Sequence, residues 1–153
     1  MAQAVLLVAL FTVPRGPGWP VGTVTQAVGL TVTIVGLLVM IMAGLGLGRG
    51  LTPSPLPNAA ARLRTGDLYA WVRHPIYSGL LLFGVGVVVV AGSVARAGVL
   101  LLLAVLLTVK ARWEERQLAE RFPEYLAYAA TTPRFVPGLR RRARQRGHAA
   151  EHD

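Results

Sequence analysis

The sequence contains no cysteine, which excludes disulfides, thiolate metal sites and cysteine nucleophiles. Acidic residues are also scarce, with 7 Asp and Glu against 16 Lys and Arg among 153 residues. No charged residue interrupts residues 21–48. As a helix this run would be about 42 Å long, enough to cross a membrane with tilt. The composition therefore predicts an integral membrane protein, and the length predicts one domain.

Motifs of several enzyme classes are missing as well. The three histidines lack the H-x-x-x-H and H-E-x-x-H spacings, so no metal site is expected. No strand pattern precedes a G-x-G-x-x-G sequence, which excludes a soluble dinucleotide-binding domain. No serine or threonine is paired with an obvious base. Chemistry is therefore expected from charged and aromatic side chains near the membrane boundary.

Four apolar segments predict an all-α membrane fold of about four transmembrane or membrane-embedded helices. Residues 2–13 are too short to span alone, and prolines and glycines break the chain after them. Residues 21–48 end in GLGLG, a small-residue stretch suited to close helix packing or to fraying. Residues 76–95 and 97–109 are separated by a short turn near Gly92 and predict an antiparallel hairpin.

The basic residues indicate which side each loop faces. Arg15 and Arg96 are each alone in their loops, whereas four basic residues precede the third segment and ten follow Val109. By the positive-inside rule, the middle loop and the C-terminal region both face the cytoplasm, in a bacterial plasma membrane. Because the basic residues flank apolar spans, the net charge of +9 does not indicate nucleic-acid binding.

The stretch WVRHPIYSG, residues 71–79, lies where the third apolar segment begins. A helix beginning near Pro75 would direct free N–H groups and its positive dipole end toward Arg73 and His74, a setting that suits an anion. Alternatively, Arg73 and His74 lie among lipid head groups and Tyr77 belongs to an aromatic belt. The spacing alone leaves both interpretations open.

Two adjacent carboxylates, Glu114 and Glu115, directly follow the fourth apolar segment. A carboxylate beside hydrocarbon is a candidate functional residue, able to accept hydrogen bonds from a ribose or to hold a cationic amine. Alternatively, both belong to helix-surface ion pairs with Lys110 and Arg112, each contributing about 0.2–0.5 kcal/mol.

Two changes in structure are expected after these carboxylates: the end of the helix and the start of a disordered tail. Pro123 predicts the end of the helix, and Tyr125 and Tyr128 are expected to face the membrane surface or a lid. Residues 1–138 are expected to form the membrane domain. Residues 139–153 read as a disordered basic tail that either binds anionic lipid or serves solubility and orientation.

Two stretches carry a resemblance to a known family: TGDLYAWVRHPIYSG, residues 65–79, and EERQLAERFPEYLAYAATTPRFVPG, residues 114–138. The paired motifs R-H-P-x-Y-x-G and E-E-x-x-L, with F-x-x-Y and a closing R-F-x-P, resemble the isoprenylcysteine carboxyl methyltransferase and phospholipid methyltransferase superfamily. The motif-bearing core is residues 62–138. The resemblance implies an integral-membrane methyltransferase that holds S-adenosylmethionine, without a Rossmann fold, in a cytoplasm-facing pocket. A lipid or isoprenoid acceptor would enter from between the helices.

The resemblance also implies roles for particular residues. The implied cofactor contacts are Leu63, Arg64, Tyr69, His74, Pro75, Ile76, Tyr77 and Glu114. The residues implied for catalysis are Arg73, Lys110 and Glu115. Arg73 and Lys110 would orient the acceptor or the cofactor carboxylate, while Glu115 or His74 would take a proton from an amine or hydroxyl acceptor.

Two positions depart from the family pattern. Lys110 stands where the prenylcysteine-specific branch has an arginine, which keeps the charge but loses the bidentate fork. Asp67 stands where the family usually has a glycine, two residues before Tyr69, so the turn geometry there is in question. Two other functions stay open: an NADPH-dependent membrane lipid reductase of related architecture, and a non-enzymatic membrane adaptor.

Overall fold

The computed structural model describes residues 1–14, 16, 18–47 and 63–138, so the basic tail and the residues before Leu63 in the middle loop lie outside it. The regular elements of the described residues are five α-helices and one 3₁₀ turn, Asp67–Ala70. The helices are α1 (Ala2–Thr12), α2 (Thr23–Leu47), α3 (Pro75–Ala91), α4 (Val94–Arg121) and α5 (Tyr125–Thr131). The predicted all-α architecture is confirmed for this part of the chain.

Within the described part of the chain, two helices are long and apolar enough to cross a membrane, Thr23–Gly46 within α2 and Val94–Arg121, which is α4. The apolar helices α1 and α3 are shorter. The fourth apolar segment was predicted over residues 97–109, and α4 continues unbroken past Lys110 and Glu115 to Arg121, in agreement with the helix that was expected to end at Pro123. Alanine, glutamate, glutamine and leucine in this stretch favour a helix although the apolar run has ended. One continuous helix therefore carries both the apolar run and the charged residues that follow it.

The predicted hairpin of α3 and α4 is confirmed, and its turn also fastens α1. Gly92 ends α3 in the left-handed conformation with φ of 60°, which glycine adopts without strain. The Ser93 hydroxyl then caps α4 by accepting from the Arg96 amide. The Arg96 guanidinium donates to the carbonyl oxygens of Phe11 (3.0 Å) and Val13 (3.1 Å). These carbonyls lie at the C-terminal end of α1, where no helical partner remains for them.

Helices α2 and α3 pack with their backbones in contact. A Cβ atom added to Gly36 would lie 2.7 Å from the Cα atom of Phe83 and 2.8 Å from the carbonyl oxygen of Gly79. One added to Gly86 would lie 2.6 Å from the carbonyl oxygen of Gly29. The glycines repeat every seven residues on each helix, which is the spacing of a continuous helix–helix seam. The close packing of α3 against α2 therefore helps to fix the position of the α3 N-terminus.

The GLGLG stretch, residues 44–48, was considered for such close packing. A Cβ atom added to Gly46 would have no neighbour within 4 Å. Gly48 lies outside the described residues. The close backbone contacts of α2 lie earlier, at Gly29 and Gly36, because these two positions face α3.

The loop before α3 and the chain after α5 lie side by side. The amides of Arg73 and His74 donate to the carbonyl oxygens of Pro133 (2.9 Å) and Arg134 (3.1 Å). Predicted convergence of the middle loop and the C-terminal region on one face is therefore confirmed for the described residues. The opposite end of the bundle carries the α3–α4 turn and the end of α1.

Candidate functional site

The site is built where α3 begins. Pro75 occupies the first turn of α3, as predicted, and is fully buried. We call residues 132–136, which follow α5, the closing segment. It is fixed to α3 by the backbone pairing described above and by the Ser78 hydroxyl, which donates to the carbonyl oxygen of Phe135 at 2.6 Å. The N-terminal turn of α3 is thereby covered by the closing segment.

Glu115 is the most extensively paired side chain of the site. Arg134 donates to both of its oxygens, from Nε to Oε1 at 2.9 Å and from Nη2 to Oε2 at 2.7 Å. Arg73 Nη1 lies 3.2 Å from Oε1, and His74 Nε2 lies 3.1 Å from the same oxygen. With 11% of its side chain exposed, Glu115 is nearly enclosed by these groups. The observed partners of Glu115 are therefore Arg134, Arg73 and His74, and Arg112 is not among these contacts.

Glu114 has a more open environment than its neighbour. Its Oε1 accepts a 2.7 Å hydrogen bond from the Tyr77 hydroxyl and lies 4.0 Å from Lys110 Nζ. Its Oε2 lies 3.7 Å from His74 Nδ1, beyond ordinary hydrogen-bond length. The Glu114 side chain is 24% exposed and that of Lys110 is 41% exposed. Glu114 therefore retains unused acceptor capacity on an accessible side chain.

Aromatic rings form the wall beside Glu114. The rings of His74 and Tyr77 are stacked, with centroids 5.3 Å apart and planes 2° from parallel, and Phe135 leans against both. Lys110 Nζ lies 5.3 Å from the centre of the Tyr77 ring. Burial lowers the pKa of His74, although Glu114 and Glu115 act in the opposite direction. This lowered pKa favours the neutral form of the imidazole.

The structure brings together the predicted residues Arg73, His74, Tyr77, Lys110, Glu114 and Glu115. The other predicted residues lie before or at the start of α3: Leu63, Arg64, Tyr69, Pro75 and Ile76. Tyr69 is tied to α5, because the Tyr128 hydroxyl donates to its carbonyl oxygen at 2.5 Å. Leu63 is half-buried and Arg64 is exposed.

Three features of the site were not predicted as such. Arg134 and Phe135 were part of the closing R-F-x-P motif but had been assigned no contact. Gln3 of α1 accepts a 3.3 Å hydrogen bond from Lys110 Nζ, which connects α1 to the site. Tyr125, expected at the membrane surface or a lid, is only 3% exposed. That expectation was wrong for Tyr125, because α5 folds back beneath the charged cluster and buries its first residue.

The model of the isoprenylcysteine carboxyl methyltransferase (ICMT) family matches residues 27–120, more than half of the chain. The chain belongs to the isoprenylcysteine carboxyl methyltransferase family. The match takes in most of α2, all of α3 and almost all of α4, and hence both the His74–Tyr77 turn and the two glutamates. It ends before the closing segment.

Two individual proteins are similar to this family member. The chain is 40% identical over 78 residues to the cobalt-zinc-cadmium resistance protein CzcN of Cupriavidus metallidurans, which covers 50% of the chain and 36% of that protein. The fold matches the eukaryotic intramembrane Ras methyltransferase ICMT, solved without a monobody, with a TM-score of 0.67 and 20% identity. That match covers 89% of the chain and 50% of the solved protein. The matched part of the chain thus spans about a third of the length of CzcN and half the length of the solved ICMT. The second match supports the ICMT fold.

The turn before α3 accounts for one departure from the family pattern. Asp67 has a φ of 53° and is the one non-glycine residue with positive φ among the described residues. It stands at the position where the family usually has glycine, which adopts this left-handed conformation readily. Aspartate is among the few other residues that tolerate it. Asp67 therefore adopts a left-handed conformation that its side chain tolerates.

Replacing Asp67 by valine is expected to lower the free energy of unfolding by about 1 kcal/mol, since a β-branched residue is strained at positive φ. Asp67→Gly should stay close to wild type, because the relief of strain is offset by greater freedom of the unfolded chain. Thermal unfolding of both variants in detergent measures the difference. Equal melting temperatures for the valine and glycine variants would contradict the left-handed conformation.

Proposed function

We propose that this protein is an integral-membrane methyltransferase that moves a methyl group from S-adenosylmethionine to the head group of a lipid-like or isoprenoid acceptor. The main support is the accessible Glu114 carboxylate beside the stacked His74 and Tyr77 rings, in a chain of the ICMT family. The active site and C-terminus would face the cytoplasm of a bacterial cell.

The residues present fit S-adenosylmethionine. The cofactor combines a sulfonium cation and an amine with ribose hydroxyls and a planar base, and when bound it supplies an electrophilic methyl group. Glu114 is an accessible carboxylate with free acceptor capacity, which suits a ribose or a cationic group. His74 and Tyr77 supply flat ring surfaces and hydrogen-bonding groups. The remaining proposed cofactor contacts are Leu63, Arg64, Tyr69, Pro75 and Ile76.

The protein's own contribution to catalysis is mainly positioning. Holding two reactants in line can supply about 7–11 kcal/mol of the barrier. Lys110 is accessible and lies beside Glu114, and it would orient the acceptor head group. Arg73, which pairs with Glu115, would orient the acceptor or the cofactor carboxylate. A carboxylate acceptor is already ionised and needs no base. For an amine or hydroxyl acceptor, His74 would take the proton. Glu115 is a weak base, because the Arg134 and Arg73 guanidinium groups stabilise its ionised form.

The exposed apolar surfaces of α2 and α4 give the acceptor tail a membrane environment. Ile34, Leu38 and Ile41 on α2 and Leu101 on α4 are among the exposed large apolar side chains. Burying each methylene of an acyl or isoprenoid tail contributes about 0.8 kcal/mol. The tail would therefore stay in the apolar layer while its head group reaches Lys110. The basic residues after residue 138 are proposed to contact anionic lipid.

Glu114→Gln tests the assignment of the cofactor. Glutamine keeps an oxygen for the Tyr77 hydroxyl but removes the negative charge, so the Kd for S-adenosylmethionine is expected to rise about tenfold or more. Isothermal titration calorimetry of the protein in detergent measures this change. Glu120→Gln, an exposed glutamate on the same helix, is the matched control and should bind as wild type does. An unchanged Kd for Glu114→Gln would remove Glu114 from the cofactor site.

The same calorimetry separates the alternative functions. Binding of NADPH in place of S-adenosylmethionine would indicate a reductase, and binding of neither would indicate an adaptor. Incubation with S-adenosylmethionine labelled in its methyl group and a total lipid extract, followed by mass spectrometry, would identify the acceptor head group. No labelled lipid despite cofactor binding would contradict a lipid acceptor.

A further inference from the structure

Arg134 follows α5 and belongs to neither α3 nor α4, yet it makes the shortest ion pair of the site. Its Nη2 lies 2.7 Å from Glu115 Oε2 and its Nε lies 2.9 Å from Oε1, a bidentate geometry. We propose that Arg134 is a positioning residue for methyl transfer, holding Glu115 so that His74 and Tyr77 stay fixed beside Glu114. This inference rests on the proposed function and adds to it a residue outside the region that the family model matches.

The first step concerns the charge of Glu115. Arg134 and Arg73 both contact this carboxylate, so its negative charge is balanced from two sides. A carboxylate balanced in this way attracts a proton on His74 less strongly than a free one. Glu115 accordingly orients His74 through its Nε2 atom without forcing the imidazole into its charged form.

The second step concerns orientation. His74 Nε2 is held by Glu115, and the His74 ring is stacked on Tyr77, whose hydroxyl donates to Glu114. A change in the position of Glu115 would therefore be transmitted to the accessible Glu114 carboxylate through three consecutive contacts. Displacing Glu115 would let His74 turn and would loosen the Tyr77 hydroxyl from Glu114.

The third step concerns the closing segment, which carries Arg134 itself. Its neighbour Phe135 contacts the His74 and Tyr77 rings, and the Arg134 carbonyl accepts from the His74 amide at 3.1 Å. The guanidinium thus fastens the same segment whose backbone and aromatic side chain enclose the ring pair. Arginine suits this place better than lysine, because its planar fork binds two carboxylate oxygens at once.

The test compares Arg134→Gln and Arg134→Lys with wild type and with Arg116→Gln, a matched loss of an exposed arginine on α4. The first measurement is the pKa of His74 by NMR titration of the imidazole, assigned with His74→Asn. The groups facing His74 are Glu114 and Glu115 of α4, Arg73 before α3, and Tyr77 of α3. Arg134→Gln should raise this pKa, because the charge of Glu115 is no longer balanced from the closing segment. Arg134→Lys should raise it less.

The second measurement is the Kd for S-adenosylmethionine, expected to rise about tenfold in Arg134→Gln and to stay unchanged in Arg116→Gln. The inference is overturned if Arg134→Gln loses only thermal stability while the His74 pKa and the cofactor Kd match wild type. If Arg134→Gln does not fold, Arg134→Lys decides by the same two quantities. Wild-type protein that binds no S-adenosylmethionine refutes the proposed function, whereas the His74 titration still tests the positioning role without cofactor.

Discussion

Gly36→Ala is expected to lower the free energy of unfolding by about 2–3 kcal/mol, although it adds a single methyl group. The new Cβ atom would lie 2.7 Å from the Cα atom of Phe83 and 2.8 Å from the carbonyl oxygen of Gly79. Both are backbone atoms of α3, so no side chain can rotate to make room. The two helices must instead move apart, which loosens contacts along the whole seam and displaces the start of α3.

Gly46→Ala is the matched control, because it makes the same change in the same helix. Nothing lies within 4 Å of a Cβ atom at this position, and alanine favours a helix by up to about 1 kcal/mol relative to glycine. This variant should therefore be as stable as wild type or slightly more so. Thermal unfolding in detergent, followed by circular dichroism, should show a midpoint about 5–10 °C lower for Gly36→Ala. Equal midpoints for the two variants would mean that α2 and α3 are not in backbone contact at Gly36.

Local signals in the sequence predicted several helix boundaries, although the third segment was expected to run to residue 95 and α3 ends at Ala91. Pro75 starts α3, Gly92 ends it, and the helix before Pro123 stops at Arg121. Each of these boundaries depends on the backbone preferences of one or two residues. The helical seam was harder to predict, since glycines occur in several apolar segments and only packing shows which of them face another helix.

The charged cluster shows why the rest of the site could not be predicted from spacing. On a helix, Arg112 is a natural partner for Glu115, three residues away. In the fold, Arg73 and Arg134 approach Glu115 from two other segments and pair with it away from water, where such contacts are stronger. Arg134 reaches it only because α5 turns the chain back, and nothing in the local sequence specifies that return.

Glu115→Gln is expected to cost about 3 kcal/mol of folding free energy, because it removes the carboxylate from two guanidinium groups that stay partly enclosed. The Arg73 side chain is 14% exposed and cannot regain full hydration, whereas Arg134 is 28% exposed and can turn outward. The loss should therefore come mainly from Arg73. Glutamine is nearly the same size, so the change isolates charge from packing.

Thermal unfolding of Glu115→Gln, with Glu120→Gln as the exposed control on the same helix, measures this cost. The double variant Glu115→Gln with Arg73→Met should recover part of the lost stability, since it removes the uncompensated cation as well. If the double variant recovers no stability, the loss comes instead from release of the closing segment. A Glu115→Gln protein that melts like Glu120→Gln would mean that the cluster contributes no net stability. Its charges would then be retained only to orient His74 and Tyr77 beside Glu114.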